Sequence, residues 1–174
     1  MNSSTICSLF LGLILISQSA NAKGHGGGLV VTICKGATDR AACENILGSN
    51  SEISHAKSFS QLSKEVLEFA YNQAVEGQNF LKGLAQANNC PALTQCAHFD
   101  YDGAVMSFKS ALAELTEDPQ TANYDAKVAG DGPSQCDRGL ASAQIVNPEV
   151  TALNRQILLL SEFAFLATSQ LSSN

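Results

Sequence analysis

Between Ser58 and Asn89 the apolar residues Phe59, Leu62, Val66, Phe69, Ala70, Ala74, Phe80, Leu81, Leu84 and Ala85 recur at steps of three and four. That spacing gathers them on one stripe of an α-helix and leaves polar residues on the remaining faces. Pro91 opens the next element at a position where its missing N–H costs no helical hydrogen bond. Leu93, Ala97, Ala104, Val105, Phe108, Ala111, Leu112 and Leu115 then line one face, until Asp118-Pro119 breaks the chain. A weaker helical stretch follows toward Leu140, interrupted by Gly130, Gly132 and Pro133. Asn147-Pro148 is a cap followed by a start, and Val150, Leu153, Ile157, Leu160, Ala164, Ala167 and Leu171 mark the inner face of a last helix.

Ahead of these, residues 29–48 suit two short helices, with Lys35 to Asp39 as the turn and Gly48 as the stop. No alternating strand pattern competes with this reading. The pattern predicts an all-α chain: a four-helix bundle over residues 56–172, preceded by a short α-hairpin over 30–48, in a single domain spanning 30–172.

The N-terminus reads differently. Residues 6–16, ICSLFLGLILI, form an apolar run, followed by SQSANA with small residues Ala20 and Ala22 before Lys23. The run is shorter than the roughly 20 residues a membrane span needs, and it predicts a cleavable signal peptide over 1–22, although MNSST carries no basic residue. Its removal leaves about 150 residues, enough for one domain with a sizeable core. GHGGG, within residues 23–29, reads as a flexible leader; no Lys-Ser/Thr follows to make it a phosphate loop. The apolar run Ile157 to Thr168 is interrupted by Ser161 and Glu162 and reads as a buried helix, so no membrane association is expected after signal cleavage.

Composition narrows the partners. Sixteen acidic against ten basic residues give a net charge of -6, which argues against nucleic acid or an anionic membrane surface. No Asn-x-Ser/Thr site follows the one at Asn2. With Cys7 removed alongside the signal, Cys34, Cys43, Cys90, Cys96 and Cys136 remain, and in an oxidising compartment disulfides are their ordinary fate. Metal is disfavoured: Cys34-x8-Cys43 lacks the tight spacing of a zinc clip, and Cys96-Ala97-His98 has no second pair. A Cys34–Cys43 bridge would close a short loop worth about 2.5–3 kcal/mol, and a Cys96–Cys136 bridge a longer one worth about 4. Cys90 competes with Cys96 for that second bridge, because Pro91 between them breaks any simple helical register.

Catalytic patterns are missing. There is no G-x-S-x-G, no H-E-x-x-H and no Gly-rich loop joining a strand to a helix. Ser134 in GDGPSQC has an aspartate nearby but no histidine, and reads as part of a loop or kink. The carboxylates of YNQAVEG, LAELTEDP and NPEV fall on polar helical faces, and His25, His55 and His98 stand singly in polar context. The expectation is a non-enzyme with no catalytic residues, no metal and no cofactor.

Taken together, the signal, the C-x8-C hairpin, the long amphipathic helix and two cysteines forty residues apart resemble the plant invertase and pectin methylesterase inhibitor family. The resemblance runs from Val30 to Leu171 and rests on ICKGATDRAACENIL, LTQCAHFDYDGAVMSFKSALAEL, KVAGDGPSQCDRGL and IVNPEVTALNRQILLLSEFAFL. It implies bridges Cys34–Cys43 and Cys96–Cys136, with Cys90 left as an extra thiol. Two departures stand out: Tyr101 falls one place later after Cys96 than is usual in the family, and glycine and proline disturb the approach to Cys136.

The resemblance also implies a protein target, either an invertase or a pectin methylesterase. Invertase inhibitors of this kind often present Pro-Lys-Phe to a pocket with paired carboxylates. The matching place here is Pro119-Gln120-Thr121, a candidate target-binding loop that has lost both cation and aromatic. Pectin methylesterase inhibitors lay helices across the enzyme's cleft and need no such tripeptide. The expected function is therefore a secreted inhibitor in the cell wall or apoplast that occludes its target's cleft, with pectin methylesterase favoured. The alternative is a secreted helical binding or storage-type protein of the same fold without inhibitory activity. A small-molecule or lipid carrier is a third, less favoured because the apolar faces are narrow stripes suited to mutual packing.

Overall fold

The structure, a computed structural model, describes residues 27–171. Among the described residues the regular structure is entirely helical. The N-terminal unit comprises α1 (Gly28–Cys34), α2 (Arg40–Ser49) and the single turn α3 (Ser51–Ser54). The bundle follows: α4 (Phe59–Asn88); α5 (Pro91–Gln95), a π turn (Cys96–Asp100) and α6 (Tyr101–Glu114) as its second rod; α7 (Pro119–Val128) and α8 (Asp131–Ser142) as its third; and α9 (Pro148–Thr168) as its fourth.

Short polar side chains set the helix starts. Asp39 accepts from the Ala42 N–H, and Asn50 from those of Glu52 and Ile53. Ser58 accepts from the Gln61 N–H while Gln61 returns an acceptor to the Lys57 N–H. Asp118 and Asn147 do the same for α7 and α9, each followed by a proline at the first helical position. Each cap satisfies a backbone donor that the helix itself cannot. α8 ends on Gln144 at φ 56°, with the Ile145 N–H bonded to the Leu140 carbonyl at 2.9 Å. That is the left-handed cap of a Schellman motif, completed by the Gln144 N–H bonded to the Ala141 carbonyl at 3.0 Å.

In the bundle α4 lies between α9 and α6, α7 packs on α6 and α9, and α8 packs on the π turn and α9. Leu62, Val66, Leu81, Tyr101, Phe108, Ile157, Leu160 and Phe163 are fully buried at its centre. Removing such side chains from water is the main stabilising term. α9 is the one helix among the described residues long and apolar enough to cross a bilayer. Its buried Val150, Ile157, Leu160, Phe163, Ala164 and Ala167 make it the core helix of the bundle instead.

Several sequence expectations need correction. Gly28 and Leu29 belong to α1, not to a leader, and Gly48 lies inside α2; the signal peptide 1–22 and residues 23–26 lie outside the described residues. The third rod is two helices. At the break Ser161 Oγ on α9 donates to the Ala126 and Lys127 carbonyls at 2.8 and 3.1 Å, replacing helical bonds lost there. Pro133 is tolerated because it sits in the first turn of α8, where its N–H would have no helical acceptor. This rod looked weak in sequence because its inner face is Ala122, Ala126, Ala129, Gly132, Pro133 and Cys136, small residues that let helices approach closely.

Candidate functional site

Disulfides fix the scaffold first. Cys34 and Cys43 are joined across α1 and α2 with Cα atoms 5.6 Å apart, and Cys96 and Cys136 join the π turn to α8 at 4.8 Å. Both spans lie in the normal range for a bridge, and all four residues are fully buried. The spare-thiol reading of Cys90 is wrong: Cys90 is buried and disulfide-bonded.

The hairpin is latched to the bundle by polar contacts that the sequence pattern gave no reason to expect. Thr38 donates both its backbone N–H and its hydroxyl to Glu162 Oε1, each at 2.7 Å. Arg155 of α9 lies 3.7 Å from Asp39. Glu162, which in sequence merely interrupts an apolar run, ties the 35–39 turn to α9.

Residues 119–121 do not form a loop. They are the first turn of α7, with Gln120 and Thr121 exposed and Pro119 half-buried. The Thr121 N–H and hydroxyl both turn back to the Asp118 carboxylate, at 3.1 and 2.7 Å. Those bonds, the side-chain one first, hold Asp118 below the usual carboxylate range. Glu117 beside it is exposed as well. The turn therefore presents negative charge.

The π turn is the other distinctive place. An i→i+5 turn takes up one more residue than an α-turn, and Tyr101, which follows it, is fully buried. Three helices hold the segment. From α4, Gln78 donates to the Ala97 carbonyl at 3.1 Å, and Gly77 leaves room for the Tyr101 ring. From α8 come Cys136 and Gly132, whose lack of a side chain admits the Asp100 carbonyl. From α9, Asn154 accepts from the Tyr101 hydroxyl at 2.7 Å and donates to Asp137 at 2.6 Å. Burial, with the charge of Asp137 second, keeps Tyr101 a neutral phenol. On the outside of the same rod Phe99 is 66% exposed and Met106 54%. The rod thus shows solvent two large apolar side chains.

Titratable groups are scattered. The His55 ring nitrogen lies 2.6 Å from the Ser51 carbonyl at the end of α3, and His98 is exposed on the π turn. Among the described residues no three His, Cys, Asp or Glu side chains converge to hold a metal ion. Among the described residues the fold is a disulfide-stapled helical bundle that carries distinctive exposed turns.

The comparisons agree with that class. The family model described as plant invertase/pectin methylesterase inhibitor matches residues 28–174. The chain belongs to that family, and it is an inhibitor rather than an enzyme. Its fold is similar to the crystal structure of mutant form A of a pectin methylesterase inhibitor from Arabidopsis, with a TM-score of 0.71 at 19% identity, covering 80% of this chain and 95% of that one. It is also similar to the crystal structure of a pectin methylesterase inhibitor from Arabidopsis thaliana, with a TM-score of 0.62 at 20% identity, covering 83% of this chain and 97% of that one. No curated protein matches.

Proposed function

We propose that the protein is secreted into the cell wall and inhibits a pectin methylesterase, rather than an invertase, by laying its bundle across the enzyme's cleft. The observation that carries this reading is the first turn of α7. At the place where an invertase-directed relative would offer a cation and an aromatic ring, this chain offers Gln120 and Thr121. The Thr121 hydroxyl is engaged by an ionised Asp118. Facing the paired carboxylates of a glycosidase pocket, that turn adds repulsion where attraction is required. The rest of the surface suits occlusion: rigid helices lose little freedom on binding, and Phe99 and Met106 supply exposed apolar contact on one rod.

The test is titration of the purified secreted form against a plant pectin methylesterase and a cell-wall invertase. Inhibition of the first with little effect on the second supports the proposal. The reverse order overturns the choice of target, and inhibition of neither favours a binding or storage role on the same fold.

A further inference from the structure

Among the described residues Phe99 is the one phenylalanine that stands exposed to solvent. Around it Cys96, Ala97, Asp100 and Tyr101 are all buried, while His98 and Phe99 face outward. Each of the four inward residues is tied to another rod. Cys96 is bridged to Cys136, and the Ala97 carbonyl accepts from Gln78 of α4. The Asp100 carbonyl is seated against Gly132 of α8, and the Tyr101 hydroxyl donates to Asn154 of α9. Three rods thus clamp the backbone that carries Phe99. The clamp matters because association is opposed by the freedom it removes. An aromatic side chain has few rotatable angles, so on this turn little is left to order when a partner arrives. A large, pre-positioned aromatic flanked by exposed polar side chains, here His98 and Asp102, has the anatomy of an interface hot spot.

The apolar area limits what can cover it. A stable interface buries about 800 Å² on each partner, and the interfaces of homodimers are the more apolar kind. One aromatic side chain offers about 150–250 Å², and Met106 on the same rod is only half exposed. Between them Asp102 and Gly103 are exposed and add no apolar side chain. That is too little to hold two copies of the chain together, and it suits one ring entering a concave partner. We infer, resting on the reading of this protein as a pectin methylesterase inhibitor, that Phe99 is the anchor of the inhibitory surface. The π turn holds its ring out, the ring enters the cleft of the target enzyme, and its burial there sets how long the complex lasts.

Tyr124 on α7 and Val146 between α8 and α9 are exposed to a similar degree and serve as comparators. Wild type, Phe99→Ala, Tyr124→Ala and Val146→Ala are compared by inhibition of a plant pectin methylesterase and by binding rates on the immobilised enzyme. All four should melt within about 2 °C of one another, because changes at exposed positions shift stability little. Phe99→Ala should weaken binding by about thirtyfold, the share a hot-spot aromatic carries, chiefly through faster dissociation. Tyr124→Ala and Val146→Ala should stay close to wild type. Undiminished inhibition by Phe99→Ala would overturn the anchor, as would an equal loss in either comparator. A wild-type dimer that Phe99→Ala dissolves, with inhibition untouched, would overturn it in favour of self-association. A wild type that fails to inhibit the esterase overturns the choice of target and the anchor with it, whereas an active wild type matched by Phe99→Ala overturns the anchor alone.

Discussion

Gly132 and Gly139 lie two turns apart on α8, and substitution by alanine should act on them with opposite sign. In a helix interior the change from glycine to alanine stabilises by about 1 kcal/mol through backbone entropy alone. At Gly139 an added Cβ meets nothing within 4 Å, so Gly139→Ala should gain most of that amount. At Gly132 the Cβ would collide with the Asp100 carbonyl oxygen, and it would also lie 3.1 Å from Ala104 Cβ. The obstacle is backbone, which cannot rotate aside as a side chain can. Restoring ordinary contact requires α8 and the π turn to separate by about 1 Å. The Cys96–Cys136 bridge, one helical turn along, holds the same two elements together. Overpacking of this kind costs about 3 kcal/mol at its upper range, and in the first turn of α8 the helical gain offsets at most about 1 of it, leaving a net loss of at least about 2 kcal/mol. For a chain of this size that is a fall of about 4–8 °C in Tm. Urea and thermal unfolding of both variants, with disulfides intact, measure it. If Gly132→Ala proved as stable as Gly139→Ala, the close approach of α8 to the π turn would be wrong.

Ser63 has a fully buried hydroxyl without a hydrogen-bond partner; Ser63→Ala should raise stability by about 1 kcal/mol in chemical denaturation. Non-reducing peptide mapping should return Cys34–Cys43 and Cys96–Cys136, and Cys96→Ser should lower unfolding stability by about 2–5 kcal/mol because it opens a bridge of sequence separation 40. The double change Gln120→Lys with Thr121→Phe should strengthen invertase inhibition at least about tenfold, since an interfacial charge pair can couple by about 1.5 kcal/mol or more and an aromatic anchor can add about 2. Inhibition of pectin methylesterase should stay nearly unchanged. No gain against invertase would mean that the first turn of α7 is not the deciding contact.

Much of this architecture is local and was therefore legible. Three- and four-residue apolar spacing marks α4, α6 and α9 because each must bury one stripe. Asn147-Pro148 announces a start because capping is a contact between residues two or three apart. What lay beyond local reach was everything made between rods. The π turn is held by Gln78, Gly132, Cys136 and Asn154, up to 53 residues from their partners along the chain, and no period in LTQCAHFDYD reveals it. The break at Ala129–Gly130 depends on a hydroxyl from α9, and Glu162 becomes a latch only once Thr38 is placed beside it. Residues 119–121 stood as a candidate loop on the family resemblance and are instead a helical turn that Asp118 caps. The sequence by itself determined where helices run, because periodicity and capping are properties of near neighbours. Only the tertiary structure decided which polar side chains are buried, which glycines must stay glycine and how the rods are joined, because burial and close approach are properties of residues that meet in space.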